Sequence, residues 1–246
     1  MTRICIIVPA YNEQDRITDT LETYINFFAV EPKGRRYEVD FLVVLNGCTD
    51  NTRVVVEKLC EKHPNILLYE IKQAGKGVAI KTGFEQALEG PYNLIGFVDA
   101  DMATSPSQFL ALIQNMGNAD GVIASRYMPG ARTIPERPWI KRWGSRFFYE
   151  NLVALLFGIH YYDYQCGAKL FKRSVIVAIV PHLTVTQWAF DVELLYWCKK
   201  LGFFIKELPS VWHDKAGSKL KIFGSGLPML IALFKLRYRI GKDAKK

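Results

Sequence analysis

Between Ile4 and Ser125 this 246-residue chain alternates short apolar runs with segments of helical periodicity, and that alternation restricts the possible folds more than any other feature. The runs Ile4 to Val8, Phe41 to Leu45, Ile66 to Ile71, Leu94 to Val98 and Gly121 to Ser125 have the length and composition of strands. Ile17, Leu21, Tyr24, Ile25 and Phe28 recur at helical spacing. Asp50 to Lys62, Gly77 to Leu88 and Pro106 to Met116 follow the same period, each opening near a capping or turn residue. The order β-α-β-α-β-α-β-α-β predicts an α/β fold: a mostly parallel sheet flanked by helices, whose ligands sit at the carboxyl ends of the strands. The second half is less regular. Tyr127 to Pro138 predicts a long mobile loop and Trp139 to Gly158 an amphipathic segment. Cys166 to Phe171 and Phe203 to Val211 read as strands, with a helix from Asp191 to Leu201 between them.

A chain that is 50% hydrophobic and 23% charged has the make-up of an ordinary core-forming protein, which excludes disorder and coiled coil. One large domain is the expectation. No apolar stretch approaches the roughly 18 residues of a membrane span, the longest being Asn151 to Tyr162 and Val175 to Val180. Met1-Thr2-Arg3 runs straight into Ile4, without the pattern of an export signal, so the cytoplasm is the expected location. The five cysteines form no C-x-x-C pair and are odd in number, which argues against a disulfide framework or a zinc site. Nine Lys/Arg and one Asp lie from Lys215 onward and account for the whole formal net charge of +8. A basic end on a neutral body suits an anionic surface met by one end of the molecule better than nucleic acid gripped by a whole domain.

Polar residues gather where the predicted strands end. Pro9-Ala10-Tyr11-Asn12-Glu13 follows the first strand, Asn46-Gly47-Cys48-Thr49-Asp50 the second, Asp99-Ala100-Asp101 the fourth and Ser125-Arg126-Tyr127 the fifth. Glu13 or Asp50 alone would read as a helix cap; four such ends together point to one crevice. Asp99 and Asp101, a residue apart after a continuous apolar strand, suit Mg²⁺ or Mn²⁺ completed by phosphate oxygens and water; a solvated turn is the alternative. Ala74-Gly75-Lys76-Gly77-Val78 matches neither a P-loop nor a G-x-G-x-x-G turn, yet puts Lys76 beside small residues at a helix start, where it can approach a diphosphate.

PAYNE, NGCTDNT, GKGVAIKTG, DADMATSP and SRY, in this order, resemble the family 2 glycosyltransferases of GT-A fold, whose core is a Rossmann-like sheet. DYQCGAKLF, WAFDVELL and the W-H-D-K-A-G-S-K-L stretch resemble the branch of dolichyl-phosphate glucosyltransferases and dolichol-phosphate mannose synthases, over Ile4 to about Arg239. The resemblance implies that Pro9, Ala10, Tyr11 and Glu13, with Asn46 and Asp50, hold the nucleotide base and ribose. It places Lys76, Asp99 and Ala100 at the donor diphosphate and makes Asp99 and Asp101 the metal ligands. Many relatives carry paired acids where this chain has Leu45-Asn46. The mannose synthases place a Gln ligand where this chain has Ala103, and His213 is a possible substitute, a structural histidine being the alternative.

The implied reaction is inverting transfer of a hexose from a UDP- or GDP-sugar to a polyprenyl or dolichyl phosphate. A phosphate acceptor is already anionic and needs orientation more than proton removal. Arg126, Lys76 and Lys219 are the candidate cations for the leaving diphosphate. Asp191 sits where relatives with hydroxyl acceptors keep a catalytic carboxylate, with Glu193 behind it; a helix cap is the alternative. Asp163 and Gln165 line the sugar pocket or shape a turn, and Lys169 and Arg173 are candidates for the acceptor phosphate. Residues 221–246 form a basic amphipathic tail behind a catalytic domain of residues 1–220. As a helix the tail would lie in a membrane interface or pack on the domain, and Asn151 to Tyr162 is a second such contact or a core segment. A hydroxyl acceptor, or a non-catalytic sugar-nucleotide module, are the competing functions.

Overall fold

The computed structural model describes residues 1–30, 37–134, 149–187, 189–213 and 226–243, the side chains of 213, 226, 227 and 243 excepted. The alternating half forms as the pattern predicts. β1 (Thr2–Ala10), α1 (Ile17–Val30), β2 (Tyr37–Asn46), α2 (Thr52–Lys62), β3 (Ile66–Ile71), α3 (Lys76–Glu89), β4 (Leu94–Phe97), α4 (Pro106–Gln114) and β5 (Gly121–Ser125) follow one another. Then come β6 (Arg132–Ile134), α5 (helical residues 149–157), β7 (Lys169–Lys172), α6 (Arg173–Ile179), α7 (Phe190–Lys200), β8 (Ile205–Pro209), β9 (Val211–His213) and α8 (Gly226–Asp243).

The main sheet has the order β3-β2-β1-β4-β7-β5-β8. All its neighbours are parallel except β7, which runs antiparallel to both β4 and β5. Period-2 alternation builds two cores from one strand: Ile4, Ile6 and Val8 enter the layer containing α1, α2 and α4, whereas Cys5 and Ile7 enter the layer containing α3, α6 and α7. The strand order reverses at β1, so its carboxyl end and that of β4 border the crevice where an open α/β sheet receives its ligand.

Three departures from the pattern have physical causes. The strand predicted at Cys166 starts at Lys169, because Cys166 to Ala168 turn against the end of β4. Part of the predicted loop, Arg132–Ile134, pairs in parallel with Val211–His213 as a separate two-stranded sheet, a non-local contact that no local pattern announces. The rest of the loop, through Pro138, and the segment from Trp139 to Phe148 lie outside the described residues. All five cysteines are free thiols.

The helix expected in the basic tail is present, and it packs on the catalytic body. α8 buries Leu233, Leu236 and Ile240 in the α3/α7 core and leaves Ile231, Phe234 and Tyr238 exposed on the opposite face, flanked by Lys235 and Lys242. No helix among the described residues is long and apolar enough to cross a membrane.

Candidate active site

The end of β4 carries the two aspartates into a tight turn. Met102 adopts φ 58°, and the Asp101 carboxylate accepts the Ala103 N–H at 3.0 Å, closing the turn. Thr20 Oγ1 donates to the Ala100 carbonyl and Tyr24 Oη to that of Thr104, both at 2.8 Å, so α1 holds the turn from beneath. Burial, and next the Asp99 charge, push the Asp101 carboxyl above its ordinary value. A buried carboxylate raised by its neighbour's charge marks a place where a cation is favoured. Among the described residues no group of three or more His, Cys, Asp and Glu gathers, so ligand oxygens would have to complete such a cation's shell.

Lys76 reaches this pair from the start of α3, its Nζ 2.6 Å from Asp99 Oδ1. Burial works against the ammonium, but Asp99, Asp191 and the hydrogen bond to Asp99 outweigh it and hold the lysine charged. Glycine makes the approach possible. A Cβ at Gly75 would lie 2.5 Å from the Thr186 carbonyl oxygen, and one at Gly77 2.5 Å from that of Val185, so α3 starts directly beneath the 184–187 loop. Asn46 ties in the β2 end: its Nδ2 donates to the Ala10 carbonyl at 2.9 Å and its Oδ1 accepts the Gly75 N–H at 3.0 Å. Gly167 presses on the other side. A Cβ there would come within 1.8 Å of Asp99 Oδ2, so the bare backbone fixes where that carboxylate lies.

Behind Asp99 stand two ion pairs whose carboxylates are buried. Lys169, fully buried, donates to Asp191 Oδ1 at 2.6 Å and to the Cys166 carbonyl at 2.7 Å, its ammonium 5.3 Å from the centre of the Phe97 ring. Arg126 grips Asp163 in a fork, Nε to Oδ2 at 2.6 Å and an Nη to Oδ1 at 2.9 Å, with its guanidinium against the rings of Tyr127 and Trp212. Burial alone would raise the Asp163 carboxyl, but Arg126 holds it below its ordinary value. Glu207 accepts the N–H groups of Tyr162 and Asp163, which positions this pair.

Around one cleft, then, lie the ends of β1, β2 and β4, Lys76, and the Asp163 to Gly167 turn. Several nominated residues already have structural work. Asp50 accepts from the Thr52 N–H at 3.0 Å and from the Thr52 hydroxyl, ahead of the Asn51 N-cap of α2, and Glu13 pairs with Arg16 while its N–H reaches Thr52 Oγ1. Asp191 lies in the first turn of α7 and faces Lys169, not the helix's own N–H groups. Glu193 accepts from Thr184 and Val185 and anchors the 184–187 loop. Gln165 donates to Met229 of α8. Arg173 does not join the cleft, because its guanidinium is drawn to the carbonyls of Leu88 and Gly90 at the end of α3. Lys219 lies outside the described residues, as does the side chain of His213, whose backbone pairs with Ile134.

In the sequence Lys169, Arg126, Asp163 and Asp191 stand as single candidates, whereas the fold joins them as two pairs. A lysine set within the apolar run Cys-Gly-Ala-Lys-Leu-Phe was the available signal, since a charge at a buried strand position demands a partner.

Residues 5–179 match the Glycosyl transferase family 2 domain. The chain belongs to glycosyl transferase family 2. Among its family 2 relatives, the dolichyl-phosphate β-glucosyltransferase of Dictyostelium discoideum is 33% identical over 249 residues, covering 96% of this chain and 74% of the relative. That of Saccharomyces cerevisiae is 30% identical over 267 residues, covering 99% and 78%. Mannosyl-3-phosphoglycerate synthase from Rubrobacter xylanophilus superposes with a TM-score of 0.69 at 15% identity, over 98% of this chain and 75% of that one. Glucosyl-3-phosphoglycerate synthase from Mycobacterium tuberculosis, solved with Mn²⁺, UDP-glucose and phosphoglyceric acid, gives 0.67 at 15% identity, over 96% and 79%. The shared architecture is the mostly parallel, helix-flanked sheet predicted from the alternation of elements, in the GT-A form that the resemblance implies.

Proposed function

We propose that this chain transfers glucose from a nucleoside diphosphate, UDP before GDP, to dolichyl phosphate at a membrane surface. The observation that carries the reading is the meeting of Asp99, Asp101 and Lys76 at the β1/β4 reversal, a cation-seeking pair of carboxylates beside a charged lysine. The relatives supply the sugar and the acceptor, since they are dolichyl-phosphate β-glucosyltransferases along nearly the whole chain. UDP takes precedence because a solved neighbour of the same fold carries UDP-glucose with Mn²⁺.

In the reaction an acceptor phosphate oxygen bonds to the anomeric carbon while the bond from that carbon to the diphosphate oxygen breaks, its electron pair leaving with the nucleotide. Asp99 and Asp101 would hold a divalent ion, Mg²⁺ or Mn²⁺, which when bound supplies Lewis-acid neutralisation of the departing diphosphate. Lys76 can exchange Asp99 for a diphosphate oxygen, delivering its charge where negative charge grows. Arg126 positions Asp163 at the cleft, its own charge being engaged there. Asp191, held by Lys169, is not presented as a free base, and an anionic acceptor asks for none. That observation favours phosphate over hydroxyl acceptors. The exposed Ile231, Phe234 and Tyr238 face of α8, with Lys235 and Lys242 beside it, suits the boundary of an anionic bilayer where such an acceptor resides.

The test is a panel of radiolabelled UDP- and GDP-hexoses with dolichyl phosphate and Mg²⁺ or Mn²⁺. An organic-soluble glucosyl product is expected, falling about 10³-fold in Asp101→Ala. No product with any donor overturns the reading.

A further inference from the structure

Lys169 makes two bonds with one buried ammonium, and only one of them meets a charge. The bond to Asp191 Oδ1 at 2.6 Å matches a carboxylate; the bond to the Cys166 carbonyl at 2.7 Å is to a neutral group, and charge matching alone gives no reason for it. Its consequence lies one residue on. A Cβ at Gly167 would meet Asp99 Oδ2 at 1.8 Å, Cγ at 2.3 Å and Oδ1 at 2.9 Å, so the Gly167 backbone lies against the whole carboxylate. The sheet holds this turn at its far end: Lys169 pairs with Phe97, just ahead of Asp99, and the Ala168 carbonyl accepts the Ala124 N–H at 3.0 Å. The Lys169 side chain folds back and holds the near end through Cys166, while Asp191 of α7 fixes the ammonium from outside. Fully closed to solvent, that ammonium acts on the cleft through Gly167 and not by contact.

We propose that Lys169 is a positioning residue for the cation site: by clamping the Cys166 carbonyl it holds Gly167 on Asp99 and sets where that carboxylate presents its oxygens. The inference rests on the reading of Asp99 and Asp101 as holders of a divalent ion. Two effects of this lysine on such an ion have opposite signs. Its ammonium lies 5.3 Å from the centre of the Phe97 ring, and that of Lys76, which meets Asp99 at 2.6 Å, lies 5.8 Å from the same centre. Its charge is therefore close enough to oppose a cation at Asp99, and removing it would tighten binding if charge alone counted. Positioning predicts the reverse. Groups that orient a metal's ligands commonly account for about ten- to hundredfold in affinity.

The experiment measures Mn²⁺ binding by electron paramagnetic resonance in saturating UDP, with GDP as a second set. It compares wild type, Lys169→Met/Asp191→Leu, Gly167→Ala and their combination. The paired replacement removes one charge of each sign, and an apolar pair in place of a buried ion pair preserves most of the stability. Melting curves fix the folded fraction, and sucrose, which favours the compact state, keeps a weakened variant native. Affinity for Mn²⁺ should fall about tenfold or more in the paired replacement while the protein stays folded. Gly167→Ala, which displaces Asp99 directly, should lose a similar factor. The combination should lose far less than the product of the two, because both act on one carboxylate. Wild-type affinity in the paired replacement or in Gly167→Ala, or a combined loss equal to the product, overturns the inference. If wild type itself binds no Mn²⁺ with either nucleotide, the reading of the site as a metal-dependent transferase fails instead.

Discussion

On the β1–β2 side of the cleft, polar residues at the strand ends bond to backbone groups or to part-exposed side chains. Asp50 accepts the Thr52 N–H, Glu13 meets Arg16 three residues on, and Asn46 spans the Ala10 carbonyl and the Gly75 N–H. On the β5–β7 side, two carboxylates are withdrawn from water and matched by cations distant in the chain, Asp163 by Arg126 and Asp191 by Lys169. The first arrangement ties neighbouring elements together with little full charge taken out of water. The second takes full charges out of solvent, a cost of several kcal/mol per ion that only good geometry offsets. The contrast teaches that one side of the cleft is held by single bonds to backbone and part-exposed groups, whereas the other is built from pairs in which neither member can be lost alone.

The strongest way to break this contrast is Lys169→Met, which leaves Asp191 buried and unmatched. Denaturant unfolding should show a loss of about 3–5 kcal/mol, most of it restored when Asp191→Leu is added. A single-variant loss below about 1 kcal/mol would erase the distinction. On the other side, Asp50→Ala removes the acceptor of the Thr52 N–H and hydroxyl and should cost about 1 kcal/mol in the same measurement. A cost equal to that of Lys169→Met would show that the two sides are built alike.

A pH series sharpens the comparison at its smallest scale. Burial first of all pushes the Glu207 carboxyl up to about 7, against the hydrogen bonds from the Tyr162 and Asp163 N–H groups. Its folded value therefore lies above the unfolded value of about 4.3, so its stabilising contribution is complete below that pH and is lost as pH rises through about 7. Relative to wild type, Glu207→Gln should gain stability between pH 5 and 8, by about 2–4 °C in Tm once solvent screening is allowed for. A difference that stays level across the series would remove Glu207 from the titrating set.

The same contrast explains what could be read from the chain before its structure. β1 to β5 and their helices follow from period 2 and period 3.6, because each element chooses its face locally, and Asp99 and Asp101 follow because a continuous apolar strand delivers them. The Lys169–Asp191 pair spans 22 residues and the Arg126–Asp163 pair 37, through elements whose order in the sheet is not their order in the chain. Periodicity has no means of joining them. The antiparallel entry of β7 between β4 and β5 was equally hidden, since a strand's direction is set by its connections and not by its composition. The basic end of the chain was legible as an amphipathic helix, but its two apolar sides were not separable into one for the core and one for the surroundings.

Gly167 has a last consequence. Where a methyl group would trespass on Asp99 at 1.8 Å, the chain's smallest residue acts as a stop for its most exacting carboxylate. Alanine at this position would shift the aspartate instead of filling a gap, so a residue with no side chain decides where that carboxylate stands by what it leaves out.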